Sequence, residues 1–299
     1  MRKKRSFAFA IIGAGMVGTA IGVLLKKAGH DIAAFVDLSP AHLKRALAYT
    51  GATGFPNPSR ALVRANCILI TTPDDRIASA CADMVSHSCV KDKKVFHMSG
   101  AGGLDLLESA ALAGASVASI HPLQSFSSID SAIQSIPGSY FGVTATAGAK
   151  TISADIVRDL GGIPIYITPS QKPLYHAGAC IASNYLVSLM SVVESIYLSI
   201  GFSQKDARKA YLPLVYGSLK NIEKQGCPGA LTGPIARGDS GTVQKHIEAM
   251  DRHLPDYSSL YAHMGTVAVK LARKKGTLSA VQAKKIMELL KGVKNEHAK

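Results

Sequence analysis

Residues 6–20 read SFAFAIIGAGMVGTA, an apolar run that leads into a glycine-rich turn and then into a helix-forming segment. The glycines of this turn have the spacing G-x-G-x-x-G and are Gly13, Gly15 and Gly18. Between a strand and a helix, the first glycine permits a tight turn, the second lets backbone approach a pyrophosphate, and the third allows close packing. The helix N-terminus then favours the anion. The segment therefore predicts a dinucleotide site that also includes Met16 and Val17.

A second apolar strand, residues 31–36, is followed by Asp37, about 20 residues beyond the last glycine, where an acid is expected to contact a ribose hydroxyl. A carboxylate at this position accepts a hydrogen bond from the 2′-hydroxyl and repels a 2′-phosphate. The sequence thus predicts NAD or NADP as the cofactor, and Asp37 favours NAD. The nearby Ser39, Lys44 and Arg45 leave a phosphate cradle open as the alternative.

Strand-like and helix-like segments alternate as far as residue 168. Short apolar runs between helical segments indicate a parallel sheet covered on both faces. After the first two strands, such runs lie at residues 67–72, 94–98, 116–120, 140–144 and 163–167. From Gln171 onward the periodicity is helical. We predict an α/β fold, with a doubly wound parallel sheet (Rossmann) domain over residues 1–168 and an all-α domain over residues 169–299.

Capping signals and apolar periodicity place the helices of the second domain. They cover residues 172–199, a segment that begins at Ser203, and residues 242–253, 257–275 and 279–292. The stretch Ile181–Ile200 has nearly the length of a membrane span, but it contains Asn184, Glu194 and several serines. It is interpreted as a buried core helix, and no membrane partner is predicted.

The formal net charge of +14 is concentrated at the two ends of the chain. Residues 1–5 carry four basic side chains, and residues 270–299 carry nine basic and two acidic ones, which leaves +3 for everything between them. A nearly neutral body with basic ends is typical of solvated termini, with weak anion steering or nonspecific nucleic-acid contact as the alternative. No specific nucleic-acid partner is predicted.

The cysteines indicate a reducing compartment. There are five, without C-x-x-C spacing, which favours reduced thiols over disulfides or a zinc site. The basic residues 2–5 before an apolar run are typical of a signal peptide, but its removal would destroy the glycine turn. We therefore expect a cytoplasmic protein.

Three further strand ends carry candidate site residues, because ligands of open α/β sheets lie beyond the carboxyl ends of the strands. Thr72 and Pro73 follow one strand and are candidates for cofactor contacts. Ser99 follows the next strand, in a loop with exposed amides that could contact nicotinamide or substrate. His121 follows the third strand. It is expected either to contact the substrate or to stabilise the loop through a hydrogen bond.

Lys172, His176 and Asn184 are spaced so that they share one face of the long predicted helix, among small residues. A polar stripe of this kind at a domain junction predicts catalytic groups. The alternative is a satisfied buried network between the domains.

The segment Leu231–Gly241 forms a third cluster, in which glycines and a proline surround Thr232, Arg237 and Asp239. Arginine offers a planar fork for a substrate carboxylate or a phosphate. The alternative is that Arg237 pairs with Asp239 to cap the following helix. No H-E-x-x-H, G-x-S-x-G or Walker segment occurs, so the sequence predicts no metal site and neither a serine hydrolase nor a P-loop enzyme.

Five motifs together resemble one family, the predicted short-subunit dehydrogenase-like oxidoreductases, which join a Rossmann-like domain to a helical domain of unknown function. The motifs are GAGMVG at residues 13–18, HMSG at 97–100, HPLQ at 121–124, Tyr175-His176 with Asn184, and LTGPIARGD at 231–239. More distantly, the layout is similar to ketopantoate reductase, pyrroline-5-carboxylate reductase and the phosphogluconate dehydrogenase group. The resemblance implies hydride transfer from a nicotinamide to a C=O or C=N carbon, and homodimers formed through the helical domain.

The chain departs from these relatives at two positions. The hydroxyacid dehydrogenases place a lysine four residues before the helix asparagine, where this chain has Cys180. Members of the nearer family often carry arginine after the second strand, where this chain has Asp37-Leu38. The first departure removes the usual proton donor, and the second favours NAD.

The sequence and the resemblance together predict an NAD(P)-dependent reductase of a small carboxylated carbonyl or imine compound, with ketopantoate as the first named candidate. His176 or Lys172 is expected to donate the proton, Asn184 to orient the substrate, and Arg237 to hold its carboxylate. The alternative is a nucleotide-sensing binding protein that has lost turnover.

Overall fold

The computed structural model describes residues 6–293, and the first of its two compact units is built on one eight-stranded sheet. Its strands are β1 (Ala8–Ile12), β2 (Asp31–Val36), β3 (Gly54–Phe55), β4 (Cys67–Ile70), β5 (Lys94–His97), β6 (Ser116–Pro122), β7 (Tyr140–Ala145) and β8 (Ile163–Tyr166). Their spatial order is β3-β2-β1-β4-β5-β6-β7-β8. This confirms the predicted doubly wound sheet.

One strand pair departs from the predicted parallel arrangement. β7 runs antiparallel to β6, whereas every other neighbouring pair is parallel. The only α-helix between these two strands is α6 (Ile129–Ser135), about 10 Å long. β6 spans about 23 Å, so this helix is too short to return the chain to the starting edge of the sheet.

The strand order reverses at β1. This strand pairs with β2 on one side, where Ile12 is opposite Val36, and with β4 on the other, where Ile12 is opposite Ile70. In open α/β sheets a crevice forms outside the carboxyl ends of the strands at such a reversal. The glycine turn follows Ile12 directly, so it lies at this crevice.

Apolar layers cover both faces of the sheet. Because side chains alternate along a strand, Phe9 and Ile11 join the layer that includes α1 (Met16–Lys27), while Ala10 and Ile12 join the layer that includes α4 (Ile77–His87). The other helices of this unit are α2 (Pro40–Thr50), α3 (Pro58–Ala61), α5 (Glu108–Leu112), α7 (Ala147–Asp159) and α8 (Lys172–Ala182).

The second unit is helical and is described as far as residue 293. Its helices are α9 (Asn184–Ser199), α10 (Gln204–Ala230), α11 (Pro234–Arg237), α12 (Ser240–His253), α13 (Ser258–Lys275) and α14 (Ala280–Lys291). The predicted starts at Ser203 and Ser279 are confirmed, because each serine hydroxyl accepts a hydrogen bond from the backbone N–H three residues later. α10 is kinked at Gly226, where φ is 70°. The core of the unit is formed by α12, α13 and α14, with Val243, Val269 and Ile286 buried in it.

Two predictions for residues 172–199 are wrong. The single long helix is interrupted at Ser183, where φ is −114° and ψ is −72°. The stretch is also not a buried core helix, because no residue of α9 is buried, and Tyr185 and Val187 are 63% and 71% exposed. Composition shows that a helix is apolar, but it does not show what covers the helix.

One helical stretch, Pro169–Ser199, is long and apolar enough to cross a membrane. Its most apolar 18 residues have a mean hydropathy of 1.4, and none of them is buried. Length and composition alone are weak evidence for a span. The absence of a membrane partner stays a prediction.

The boundary between the two compact units falls between Asn184 and Tyr185, so α8 groups with the sheet. The domain boundary predicted at residue 168 lies just after the last strand, which ends at Tyr166. The basic residues 2–5, and the part of the basic C-terminus beyond residue 293, lie outside the described residues.

Candidate functional site

The three glycines of the turn differ in what surrounds them. Gly13 has φ of 104°, and a Cβ atom there would lie 2.8 Å from the carbonyl carbon of Thr71. A Cβ atom on Gly18 would overlap the carbonyl oxygen of Gly13. Both glycines are therefore required by the fold itself.

Gly15 is different, because its backbone has φ of −69° and ψ of −168°, which any residue adopts, and a Cβ atom there would meet nothing within 4 Å. It is also the N-cap of α1, and it has no side chain to bond the free N–H groups of that helix. The fold thus leaves open backbone at a helix N-terminus, which is the arrangement that binds a phosphate.

Asp37 fixes the glycine turn from the end of β2. Its carboxylate accepts hydrogen bonds from the backbone N–H of Ala14 at 2.7 Å and of Ser39 at 2.8 Å. The imidazole of His42 lies 3.4 Å from the same carboxylate. Asp37 therefore holds the turn in place, in addition to standing at the predicted position for a ribose contact.

A cavity of about 250 Å³ opens at the carboxyl ends of the central strands. Five of the predicted site residues line it, and they are Val17, Thr72, Ser99, His121 and His176. The buried hydroxyl oxygen of Thr72 has no hydrogen-bond partner among the described residues. A buried polar atom without a partner is costly, so a ligand with a donor or acceptor would satisfy it.

Ser99 is the centre of a polar network on the cavity wall. Its hydroxyl donates to the carboxylate of Asp74 at 2.6 Å and accepts from the backbone N–H of Gly102 at 2.8 Å. Behind it, His97 is completely buried; its Nδ1 accepts from the backbone N–H of Ser99, and its Nε2 donates to the carbonyl of Gly103. Burial lowers the pKa of His97 to about 4, so the ring is neutral and holds residues 99–103 in place.

Lys172 lies beneath this wall and is only 2% exposed. Its Nζ donates to the Ser119 hydroxyl at 2.8 Å and to the carbonyl of Ser99 at 3.3 Å. Burial lowers the pKa of Lys172 to about 8, against an opposing effect of Asp74. The ammonium group therefore links α8 to β6 and to the loop after β5, and Lys172 is not among the residues that line the cavity.

His121 and His176 stand on the cavity wall with ring centroids 6.0 Å apart. Their approach depends on Gly100, where a Cβ atom would lie 2.5 Å from Cδ2 of His176 and 2.8 Å from Nε2 of His121. Nδ1 of His121 is 3.0 Å from the hydroxyl of Tyr175. Burial lowers the pKa of His121 to about 4, and the charge of Lys172 acts in the same direction.

The other predicted residues lie elsewhere. Met16, at the start of α1, is 43% exposed, and Pro73 is exposed beside the 3₁₀ turn Asp74–Arg76. Asn184 begins α9, directly after the interruption at Ser183, and is not among the residues that line the cavity; its place on one face with Lys172 and His176 stays a prediction.

The cluster of residues 231–241 belongs to the second unit. Thr232 and Arg237 are exposed. Asp239 is the N-cap of α12 and accepts from the backbone N–H and the hydroxyl of Thr242, at 3.0 and 2.6 Å. These bonds are the main cause of its lowered pKa, to which the charge of Arg237 adds a little. Capping thus accounts for Asp239, while substrate contacts of Thr232, Arg237 and Asp239 stay predictions.

Sequence reasoning assigned no role to two residues of the site, Asp74 and Tyr175. Asp74 follows Pro73 directly, and its carboxylate lines the cavity. Tyr175 precedes His176 and reaches His121 from α8. A carboxylate just past a strand end was a visible signal for Asp74, whereas the pairing of Tyr175 with a residue 54 positions earlier had no local signal. Within residues 6–293, no group of three or more His, Cys, Asp or Glu side chains could hold a metal ion.

Family models match both parts of the chain. Residues 1–122 match a Rossmann-like domain, and residues 139–268 match a domain of unknown function, DUF2520. A comparison with curated protein sequences gives no match. The chain therefore combines a Rossmann-like domain with a DUF2520 domain.

Solved structures of the same fold cover nearly the whole chain. A Bacteroides fragilis protein described as an NADP oxidoreductase is 16% identical, with a TM-score of 0.71 and coverage of 89% of this chain and 98% of that one. A protein of Thermotoga maritima is 21% identical, with a TM-score of 0.71 and coverage of 90% and 99%. A pyrroline-5-carboxylate reductase of Streptococcus pyogenes is 15% identical, with a TM-score of 0.62 and coverage of 91% and 99%. At these identities the likeness shows the fold.

Proposed function

We propose that the protein is an NAD(P)-dependent reductase that transfers a hydride to a small carboxylated carbonyl or imine compound, with ketopantoate as the first substrate to test. The observation that carries the proposal is the open backbone at Gly15, beside a cavity at the switch point of the sheet. The similar structures named as an NADP oxidoreductase and a pyrroline-5-carboxylate reductase support the same reaction class.

The residues present fit a dinucleotide. The N–H groups at the start of α1 would hold the pyrophosphate, and Asp37 would reach the ribose. Thr72, with its unpartnered hydroxyl, and Ser99 are placed along the cavity that follows. When bound, the nicotinamide supplies the hydride. The chain supplies the wall of neutral imidazole and carboxylate groups against which the substrate is oriented, while Arg237 and Asn184 stay candidates for holding it.

The first experiment measures cofactor binding, because the open space at Gly15 makes a specific prediction. In Gly15→Val the branched side chain occupies the approach of the pyrophosphate, so the Kd for NADH and NADPH should rise by about tenfold or more, or about 1.4 kcal/mol. The matched control is Gly217→Val, an exposed glycine of α10 that also has nothing within 4 Å of its Cβ position. Unchanged affinity in a folded Gly15→Val protein would refute the proposal.

The second experiment measures turnover. Oxidation of NADH and NADPH is followed against ketopantoate, other 2-oxo acids and cyclic imines. Turnover of at least one compound, lost in Gly15→Val, is the expected result. The substrate that gives the highest kcat/KM then separates carbonyl from imine reduction.

A nucleotide-sensing binding protein is the second candidate, and Cys180 is the observation that favours it. The hydroxyacid dehydrogenases have their proton-donating lysine at this position, whereas Cys180 offers a thiol 3.8 Å from Nδ1 of His176. Tight cofactor binding without turnover on the whole panel would support the sensor over the reductase.

We also propose that the protein is a homodimer whose interface includes α9. Tyr185, Val187 and Ile181 are more than 60% exposed, although this stretch is strongly apolar. Apolar patches of this kind mark interaction surfaces, and a two-fold partner would bury the same helix from both copies. Light scattering should give twice the chain mass of 31.4 kDa, and Val187→Glu should shift it towards the monomer. A wild-type monomer at micromolar concentration would contradict the proposal.

A further inference from the structure

We propose that His121, oriented by Tyr175, presents the proton to the reacting substrate through Nε2–H. This assignment rests on the proposed reductase function. It gives the donor role to a residue that the sequence placed only near the substrate, in place of His176 or Lys172.

The Tyr175 ring stands perpendicular to the His121 ring, at 89°, and its hydroxyl lies 3.0 Å from Nδ1. This approach requires a glycine on β7. A Cβ atom on Gly142 would lie 2.8 Å from the tyrosine hydroxyl, so any other residue there would displace the ring. β6 and β7 pair with His121 opposite Gly142, which places the imidazole and the phenol side by side.

The direction of this hydrogen bond follows from the chemistry of the two groups. A phenol is a stronger acid than a neutral imidazole, and an imidazole nitrogen is the stronger acceptor. Burial raises the pKa of Tyr175, and the Gly142 backbone acts in the opposite direction. The Tyr175 hydroxyl is therefore assigned as the donor to Nδ1 of His121.

With Nδ1 accepting, a neutral His121 carries its proton on Nε2. This nitrogen lies on the side of the ring that packs against Gly100, a residue of the cavity wall. The charged or titratable groups that act on His121 are Lys172, His176, Asp74 and His97. Burial and the Lys172 charge keep the ring neutral at pH 7, which preserves the tautomer.

The other two candidates are placed less favourably. The His176 ring nitrogens contact the Cys180 thiol, at 3.8 and 3.9 Å, which sets no clear tautomer. Lys172 donates to Ser99 and Ser119 beneath the wall. Of the three, only His121 both lines the cavity and has a hydroxyl, that of Tyr175, hydrogen-bonded to one ring nitrogen.

The proton movements balance. As the substrate carbon gains a hydride and its oxygen or nitrogen becomes basic, that atom takes the proton from Nε2 of His121. Nδ1 takes the proton of the Tyr175 hydroxyl, so the imidazole stays neutral and a phenolate remains. To close the cycle, the phenolate takes back the proton from Nδ1 while a proton from water reaches Nε2, which restores the starting tautomer. For a carbonyl substrate the transfer is downhill, because an alkoxide is a far stronger base than a phenolate.

The test is the tautomer of His121, read from the ¹⁵N shifts of both ring nitrogens by long-range ¹H–¹⁵N NMR on the full-length protein at pH 7. His121→Gln identifies the signal. The expected result is a neutral ring with the proton on Nε2, and loss of that preference in Tyr175→Phe. A proton on Nδ1, an imidazolium at pH 7, or an unchanged tautomer in Tyr175→Phe would overturn the proposal.

The second unit contains a matched control pair. Nδ1 of His246 lies 2.9 Å from the hydroxyl of Tyr261, with the rings at 83°, and neither residue lines the cavity. Tyr261→Phe should therefore leave the His121 tautomer and turnover unchanged. A shift of the His121 signals in Tyr261→Phe equal to that in Tyr175→Phe would show that the effect is not local and would overturn the assignment.

Activity provides the second readout once the panel has identified a substrate. His121→Gln should lower kcat by about 100-fold and Tyr175→Phe by about tenfold, each with a cofactor Kd within about twofold of wild type. A larger loss of kcat in His176→Asn than in His121→Gln would return the donor role to His176. Failure of the proposed function is distinguishable, because it appears in the Gly15→Val binding experiment while the tautomer is measured without cofactor.

Discussion

The glycine turn and the polar network around Ser99 are built in opposite ways. The turn occupies residues 13–18, and its glycines have separable roles, since Gly18 allows the packing and Gly15 leaves the space. The network joins residues that are far apart in the chain, such as Lys172 and Ser99 at a separation of 73 positions. A single side chain of this network therefore both connects segments of the sheet and sets the chemistry of the cavity wall. In the glycine turn, a substitution should therefore change either the stability of the fold or ligand binding. In the network around Ser99, a single substitution should change both.

The largest expected effect is in the turn itself. Gly18→Val places side-chain atoms where the Gly13 carbonyl lies, so the free energy of unfolding should fall by about 3 kcal/mol or more. Gly15→Val should change it by less than about 1 kcal/mol, because its Cβ position is open. Urea unfolding of the two variants makes the comparison. Equal destabilisation would show that the two glycines do not have separate roles.

The network should make the protein sensitive to acid through His97. Its pKa is about 4 in the folded chain and about 6.5 when unfolded, so the unfolded state binds more protons between these values. Stability should fall by about 3 kcal/mol as the pH is lowered from 6.5 to 4. His97→Gln should remove this part of the slope, and exposed His87→Gln serves as the control. An unchanged slope in His97→Gln would contradict the prediction.

Lys172 should act at the other end of the pH range. Its pKa of about 8 lies below the unfolded value, so the folded state loses its proton first and stability should rise as the pH increases above 8. Between pH 8 and 9.5 the gain should be about 2 kcal/mol, and Lys172→Met should abolish it. The matched control is Lys270→Met, at an exposed position of α13. A wild-type stability that falls over this interval would contradict the burial effect.

The smallest expected effect concerns cofactor choice. The wild type should prefer NADH modestly, and Asp37→Ser should move the ratio of NADH to NADPH affinities towards NADPH by about tenfold, since the repulsion of a 2′-phosphate is removed. Asp37→Asn keeps an oxygen that can accept from the Ala14 N–H, and so separates charge from support of the turn. A wild-type preference of tenfold or more for NADPH would show that Asp37 does not select NAD.

Much of the fold could be predicted because its signals are local. The glycine spacing, the apolar strands and the capping serines at positions 203 and 279 act over a few residues, so the sequence alone determined the strand–helix order and the helix boundaries near them. The candidate residues Val17, Thr72, Ser99 and His121 follow from the same logic, because strand ends are visible in the sequence.

Tertiary structure alone decided the rest, because burial and long-range contact depend on the order of strands in the sheet. The antiparallel direction of β7, which places Gly142 opposite His121, has no local signal. The same holds for the pairing of Tyr175 with His121 and for the exposed surface of α9. The sequence contains Lys172 as one lysine among many. In the folded chain its ammonium is buried beside Ser99 and Ser119, and this burial lowers its pKa. Desolvation is a property of the folded chain, which is why the sequence could name several residues of this site but not their chemical states.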